Sequence, residues 1–183
     1  MINSIMHYKF FCFINNFDFN LINNLPKTTS IIYRNYDDPT NIDAIIKTKN
    51  ICKDKGYKLY LANNIQLALK LNLDGVYIPA YNKNFKINSY KLKKKFKLLG
   101  SAHNLREIRT KELQKVDYLF LSPLFLSKKN KRSLGIYRFI NLSNKTKKKV
   151  VCLGGINKNN IKKTNLIKPY GIAAISFFQD RHL

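Results

Sequence analysis

The chain has 183 residues, 45% of them hydrophobic, and 34 Lys and Arg against 10 Asp and Glu give it a net charge of +24. That apolar content excludes a disordered chain and supplies a core for one domain over residues 1–183, while no apolar run approaches the roughly 20 residues needed to span a bilayer. The charge alone points to nucleic acid or an anionic surface, but the lysines are scattered over nearly every predicted element and Arg, the usual reader of bases, is scarce. A basic nucleic-acid-binding protein therefore stands as the competing class, and attraction of small anions is what the charge implies.

In chain order, strand-like segments rich in Ile, Val, Leu, Phe and Tyr fall at residues 9–14, 29–35, 57–62, 75–80, 97–103, 117–125, 149–153 and 171–178. Helical spacing predicts helices over 42–55, 65–72, 89–96, 105–115, 137–144 and 158–167, several opened by Asn or Asp, with a weaker connection over 16–27. The patch 10–14 is too short for a signal-peptide core of about 7 to 15 residues, so a cytoplasmic protein is expected. Cys12, Cys52 and Cys152 are odd in number and widely spaced inside apolar or helical stretches. Buried free thiols are expected of them, with a catalytic role for Cys152 opposed by its strand-interior neighbours.

Strands alternating with helices imply right-handed βαβ units and a parallel sheet, and eight such units close into an α/β barrel of the (β/α)8, or TIM, type. Only five residues, 179–183, follow the eighth strand, so the last helix is expected to be missing. Either a second copy in a homodimer covers that gap, or the sheet stays open in a flavodoxin-like arrangement. In a barrel, chemistry gathers at the C-terminal strand ends, with phosphate after strands seven and eight. That rule selects Gly154 and Gly155, Ile175 and Ser176, Arg34, the 62–63 and 80–82 segments, Ser101 and His103, and Ser122 with the basic loop 127–132. The glycine pair ends an apolar strand, VVCL, and glycine backbone approaches an anion closely; a tight turn without a ligand is the competing reading.

The ordered set of segments resembles the thiamine phosphate synthase and TenI family. LGSAHNLREI is similar to its fifth-strand segment, DYLFLSPLF to its Asp-Tyr strand and Pro-x-Phe turn, and ANNIQLALKLNLDGVYIPA to its third helix and fourth strand. Leu134-Gly135, Gly154 to Ile156 and GIAAISFF follow in order, so the resemblance spans roughly Ile31 to Phe178. It implies coupling of a hydroxymethylpyrimidine diphosphate to a thiazole phosphate, a transferase reaction assisted by Mg2+. The thiazole phosphate would then rest on Gly155, Ile175 and Ser176. The diphosphate would meet Arg34, Ser101 and a strand-six-loop lysine, Lys128 or Lys129 by spacing, with His103 beside Ser101. Fixed cations and N–H donors of this kind stabilise a departing diphosphate.

Several positions depart from the family pattern. The family's Gln and Lys flanking the strand-two arginine fall on Ile32 and Tyr36, its Asn-Asp pair on Ala62 and Asn63, and its acid after strand four on Asn82. No metal site is therefore expected, because the carboxylates that would hold Mg2+ are replaced. The TenI branch, which isomerises a thiazole carboxylate phosphate, uses no metal but places a histidine where Ser122 stands, and serine does not shuttle protons near neutral pH as imidazole does. His103 would have to substitute, against the reading of a buried histidine hydrogen-bonded at a strand end. The expected function is thus a TenI-like phosphate-site enzyme of thiamine biosynthesis with altered catalysis, transferase or isomerase. A catalytically silent phosphate-ligand binder and the nucleic-acid binder remain as alternatives.

Overall fold

The computed structural model describes residues 8–39, 41–127, 131–174 and 177. Eight parallel strands, β1 (Lys9–Ile14), β2 (Thr29–Tyr33), β3 (Lys58–Ala62), β4 (Gly75–Ile78), β5 (Lys97–Ala102), β6 (Tyr118–Leu121), β7 (Lys149–Leu153) and β8 (Gly171–Ala174), pair in sequence order into a closed barrel. β1 closes the ring on β8, with Lys9 opposite Gly171 and Cys12 opposite Ala174. That pairing overturns the open, flavodoxin-like alternative. The expected loss of the last helix falls on residues outside the described ones.

Strand side chains alternate between two buried environments, which is why the strands read as continuous apolar runs. In β1, Phe10, Cys12 and Ile14 join the layer between sheet and helices, while Phe11 and Phe13 point into the barrel. The interior is aromatic. Phe120 meets Phe11 with ring centroids 5.0 Å apart and Tyr77 at 5.5 Å, and Phe13 meets Tyr77 at 5.2 Å, all edge to face. Such pairs add about 0.5–1.5 kcal/mol beyond the area they bury.

Among the described residues the outer layer is α1 (Phe19–Asn23), α2 (Ile42–Lys55), α3 (Ile65–Lys70), α4 (Leu105–Leu113) and α5 (Gly135–Ser143). Side-chain oxygens start the first four: Asp18, Asn41, Asn64 and Asn104 accept from the N–H of Leu21, Ala44, Leu67 and Glu107. Two predicted helices do not form. In place of 89–96 there is a 3₁₀ turn at Phe85–Ser89, because the Asn84 side chain caps Lys86 N–H at 2.8 Å and starts the turn early. In place of 158–167, Asn157 holds residues 159 and 160 in an Asx turn, and a 3₁₀ segment at Ile161–Leu166 follows. The expected helix start behind the glycine pair is therefore absent, and a 3₁₀ segment stands in its place.

Candidate functional site

At the C-terminal end of the barrel, Arg34 leaves β2 and its backbone N–H donates to the Ile14 carbonyl at 2.8 Å. Its guanidinium lies 4.5 Å over the Phe13 ring and 5.5 Å from the Tyr36 ring. Its Nε is buried with no hydrogen-bond partner. A buried guanidinium N–H without an acceptor is costly. At 4.5 Å the Phe13 ring face attracts the guanidinium charge.

The floor beside Arg34 is Tyr77, from the interior face of β4. Burial pushes its phenol up to about 12, and the neighbouring Ser101 hydroxyl and Arg34 charge offset part of that rise. Ser101 is itself buried on β5. Tyr36 and Tyr81 stand exposed at the rim, 57% and 63% accessible, and both act electrostatically on Tyr77. The sequence placed Arg34 and Ser101 at this end; it marked Tyr36 only as a lost lysine and Tyr81 only as part of the 80–82 segment, and it assigned Tyr77 no role. The signal for Tyr77 was its place between the outward Val76 and Ile78.

The remaining predicted residues divide. His103 is exposed, and its ring Nδ1 meets Glu107 Oε2 at 2.8 Å while its backbone N–H donates to the same oxygen at 2.7 Å. This corrects the reading of a buried histidine, since the ring belongs to the cap of α4. Ser122 is buried, with its N–H donating to the Ala102 carbonyl at 3.1 Å. Gly154 and Gly155 have φ of +95° and +69°. A Cβ on Gly155 would collide with the carbonyl oxygens of Phe125 and Leu126, and one on Gly154 would meet Pro123 Cα at 2.9 Å. Glycine is required there by the close approach of the β6 and β7 loops, whether or not a ligand is near. Lys128, Lys129, Ile175 and Ser176 lie outside the described residues.

The positions expected to have lost their acids are bonded to each other, with Asn82 Nδ2 donating to Asn63 Oδ1 at 2.6 Å. Among the described residues no group of three or more His, Cys, Asp or Glu converges to hold a metal ion. Two amides committed to one another do not offer the hard, anionic oxygens that Mg2+ requires, so this donor set does not fit the ion. The cysteines are all buried and free. Burial pushes the thiols of Cys12 and Cys52 up to about 12 and raises that of Cys152, so none is primed as a nucleophile. No helix among the described residues is long and apolar enough to cross a membrane.

The family model described as thiamine monophosphate synthase matches residues 22–178. A thiamine-phosphate synthase of Prochlorococcus marinus is 33% identical over 154 residues, 81% of this chain and 43% of the relative. One of Helicobacter pylori is 30% identical over 156 residues, 80% of this chain and 69% of the relative. The chain thus spans less than half the length of the first of these relatives. Among solved structures, thiamine phosphate pyrophosphorylase from Pyrococcus furiosus superposes with a TM-score of 0.74 at 17% identity, covering 93% of this chain and 86% of that one.

Proposed function

Because the chain belongs to the thiamine monophosphate synthase family, we propose that it acts in thiamine biosynthesis on a phosphorylated heterocycle of the thiazole phosphate kind, bound at the C-terminal mouth of the barrel without a metal ion. The observation that carries this reading is Arg34, its guanidinium 4.5 Å over the Phe13 ring and its buried Nε unpartnered. Such a group awaits an acceptor-rich ligand. Tyr36 and Tyr81 beside it offer apolar faces to a planar ring while Ser101 and Tyr77 offer hydroxyls. Of the two chemistries in this family, the metal-free isomerisation is the one compatible with the Asn63–Asn82 amide pair. His103 and Ser122 are the proton-handling candidates, with Gly154, Gly155, Ile175, Ser176, Lys128 and Lys129 as proposed phosphate contacts.

The test is to measure both reactions, coupling and isomerisation, on purified protein with and without Mg2+, alongside thermal stabilisation by thiazole phosphate. The expected result is saturable stabilisation without Mg2+, and Arg34→Ala weakening the ligand by about tenfold to a hundredfold, the cost of one charged hydrogen bond. A melting curve unmoved by millimolar thiazole phosphate, or Mg2+-dependent coupling at full rate in Arg34→Ala, overturns the reading.

A further inference from the structure

Where the barrel has a 3₁₀ turn after β4 in place of a helix, a cleft of about 250 Å³ opens between α3 and the Phe85–Ser89 turn. Its floor is apolar: Val76 and Ile78 from the outward face of β4, with Ile65 and Ile87. Tyr77, between the first two, points into the barrel, so the sheet separates this cleft from the aromatic interior.

The rim is rich in amides, and donors predominate on it. Asn64 Oδ1 accepts from Leu67 N–H, Asn82 Oδ1 from Asn84 N–H, and Asn84 Oδ1 from Lys86 N–H, at 3.0, 2.9 and 2.8 Å. A backbone N–H only donates, so each of these amides has its oxygen fixed toward the chain. Asn82 must then donate through Nδ2, which fixes Asn63 Oδ1 as the acceptor of that 2.6 Å bond. With each of these oxygens already accepting one bond, the groups of Asn63, Asn64 and Asn84 that have no bond to the described residues are their NH2 groups, beside one remaining lone pair per oxygen. Lys86, which also lines the cleft, adds a cation, and Tyr90 a phenol.

The far wall is braced from behind. Lys111 of α4 and Gln114, the residue that ends it, both fully buried, reach across. The Asn82 carbonyl accepts from Lys111 Nζ at 2.7 Å and from Gln114 Nε2 at 3.0 Å, and the Asn84 carbonyl from Gln114 Nε2 at 3.0 Å. The donors along this edge are therefore held in place before any ligand arrives, which lowers the ordering cost of binding.

We propose that this cleft is a second binding site, for a small organic anion whose apolar body covers the Val76, Ile78 and Ile87 floor and whose acceptor-rich head, a phosphate or a carboxylate, takes the rim donors. The volume falls below the roughly 300–1,000 Å³ of drug-sized sites, so the ligand is a single ring or short chain. The test is a chemical-shift titration of the whole chain with phenyl phosphate, benzoate, phenol and inorganic phosphate. Saturable shifts at residues 64–66 and 84–90 are expected with one or both aryl anions, and which of the two binds identifies the head group. Phenol and inorganic phosphate, each lacking half of the ligand, bind at least about tenfold more weakly. Ile87→Trp, which fills the floor, abolishes binding, and Lys86→Glu, an exposed change that leaves packing intact, weakens it by about tenfold or more. Arg34→Ala leaves it unchanged. Binding lost in Arg34→Ala but kept in Lys86→Glu places the anion at the barrel mouth and overturns the proposal, as does the absence of saturation from folded protein.

Discussion

Single residues decide how the barrel mouth is read. Gly155 drew attention in the sequence as a phosphate cradle, but its missing side chain is first of all the space occupied by two carbonyl oxygens of the β6 loop. Gly155→Ala is accordingly expected to destabilise the protein by roughly 2–4 kcal/mol, from left-handed strain plus overlap, measured by denaturant unfolding without any ligand. A variant of full stability with lost phosphate binding would return the glycine to the ligand. Arg34 and Ser101 were legible because strand ends in a barrel announce themselves by position. The Asn63–Asn82 bond was not: the sequence shows two lost acids, and only the fold shows that the replacements satisfy each other. The reading of His103 as buried failed for a similar reason, since Glu107, four residues on, holds the exposed ring at the start of the helix.

At the level of elements, the eight strands and the helix over 42–55 were readable in the sequence, the latter because Asn41 and Gly56 mark its two ends. The 89–96 and 158–167 helices were misread because Asn side chains at 84, 157 and 160 compete for backbone N–H groups within a turn or two of the expected start. At α4 the same chemistry starts a helix. Asn104 caps Glu107 N–H at 3.0 Å, and Glu107 returns bonds from the His103 N–H and the Asn104 amide. Asn104→Ala is expected to cost about 1 kcal/mol. Desolvation raises the Glu107 pKa, but the His103 and Asn104 contacts outweigh it and hold the carboxyl below its ordinary 4.5. Its contribution is therefore present above pH 4.5 and lost as acid protonates it. Glu107→Gln should flatten that part of the acid unfolding profile.

Lys111 was hidden by its residue type, because lysines read as surface. Its ammonium donates to the Pro79 and Asn82 carbonyls and to Gln114 Oε1, at 2.8, 2.7 and 2.9 Å, and its stem fills the space that a side chain at Gly100 would need. Desolvation lowers its pKa to about 8 from an ordinary 10.5, with Glu107 working against the fall. The unfolded chain then holds the proton more tightly than the folded one. The burial penalty is complete below about pH 8 and is relieved as pH rises toward 10.5. Denaturant unfolding across that window should show stability increasing, and Lys111→Met should remove the increase. A slope unchanged in the variant would assign it to other groups.

For the molecule as a whole, 34 cationic side chains against 10 anionic ones leave a shell of like charge around a nearly neutral core. Ion pairs among the described residues are exposed or half-exposed, such as Lys58 with Asp74 at 2.8 Å, and pairs of this kind contribute little. Self-repulsion therefore opposes compaction, and salt should relieve it. Raising sodium chloride from about 20 to about 300 mM is expected to raise the melting temperature by several degrees and then level off as the screening length falls below the spacing of the charges. A melting temperature that stays flat or falls would mean that attractive pairs dominate.

The pairing of β1 with β8 has one more consequence. Segments such as KFFCFI and TSIIY, taken alone, are the kind of short, β-prone stretch from which fibrils grow. Each is flanked on both sides by another strand of the same ring, so among the described residues the barrel presents no unpaired strand edge on which a second molecule can add. Resistance to clumping in this protein thus depends on the ring staying shut, and opening it between any two neighbouring strands would bare two such rows at once.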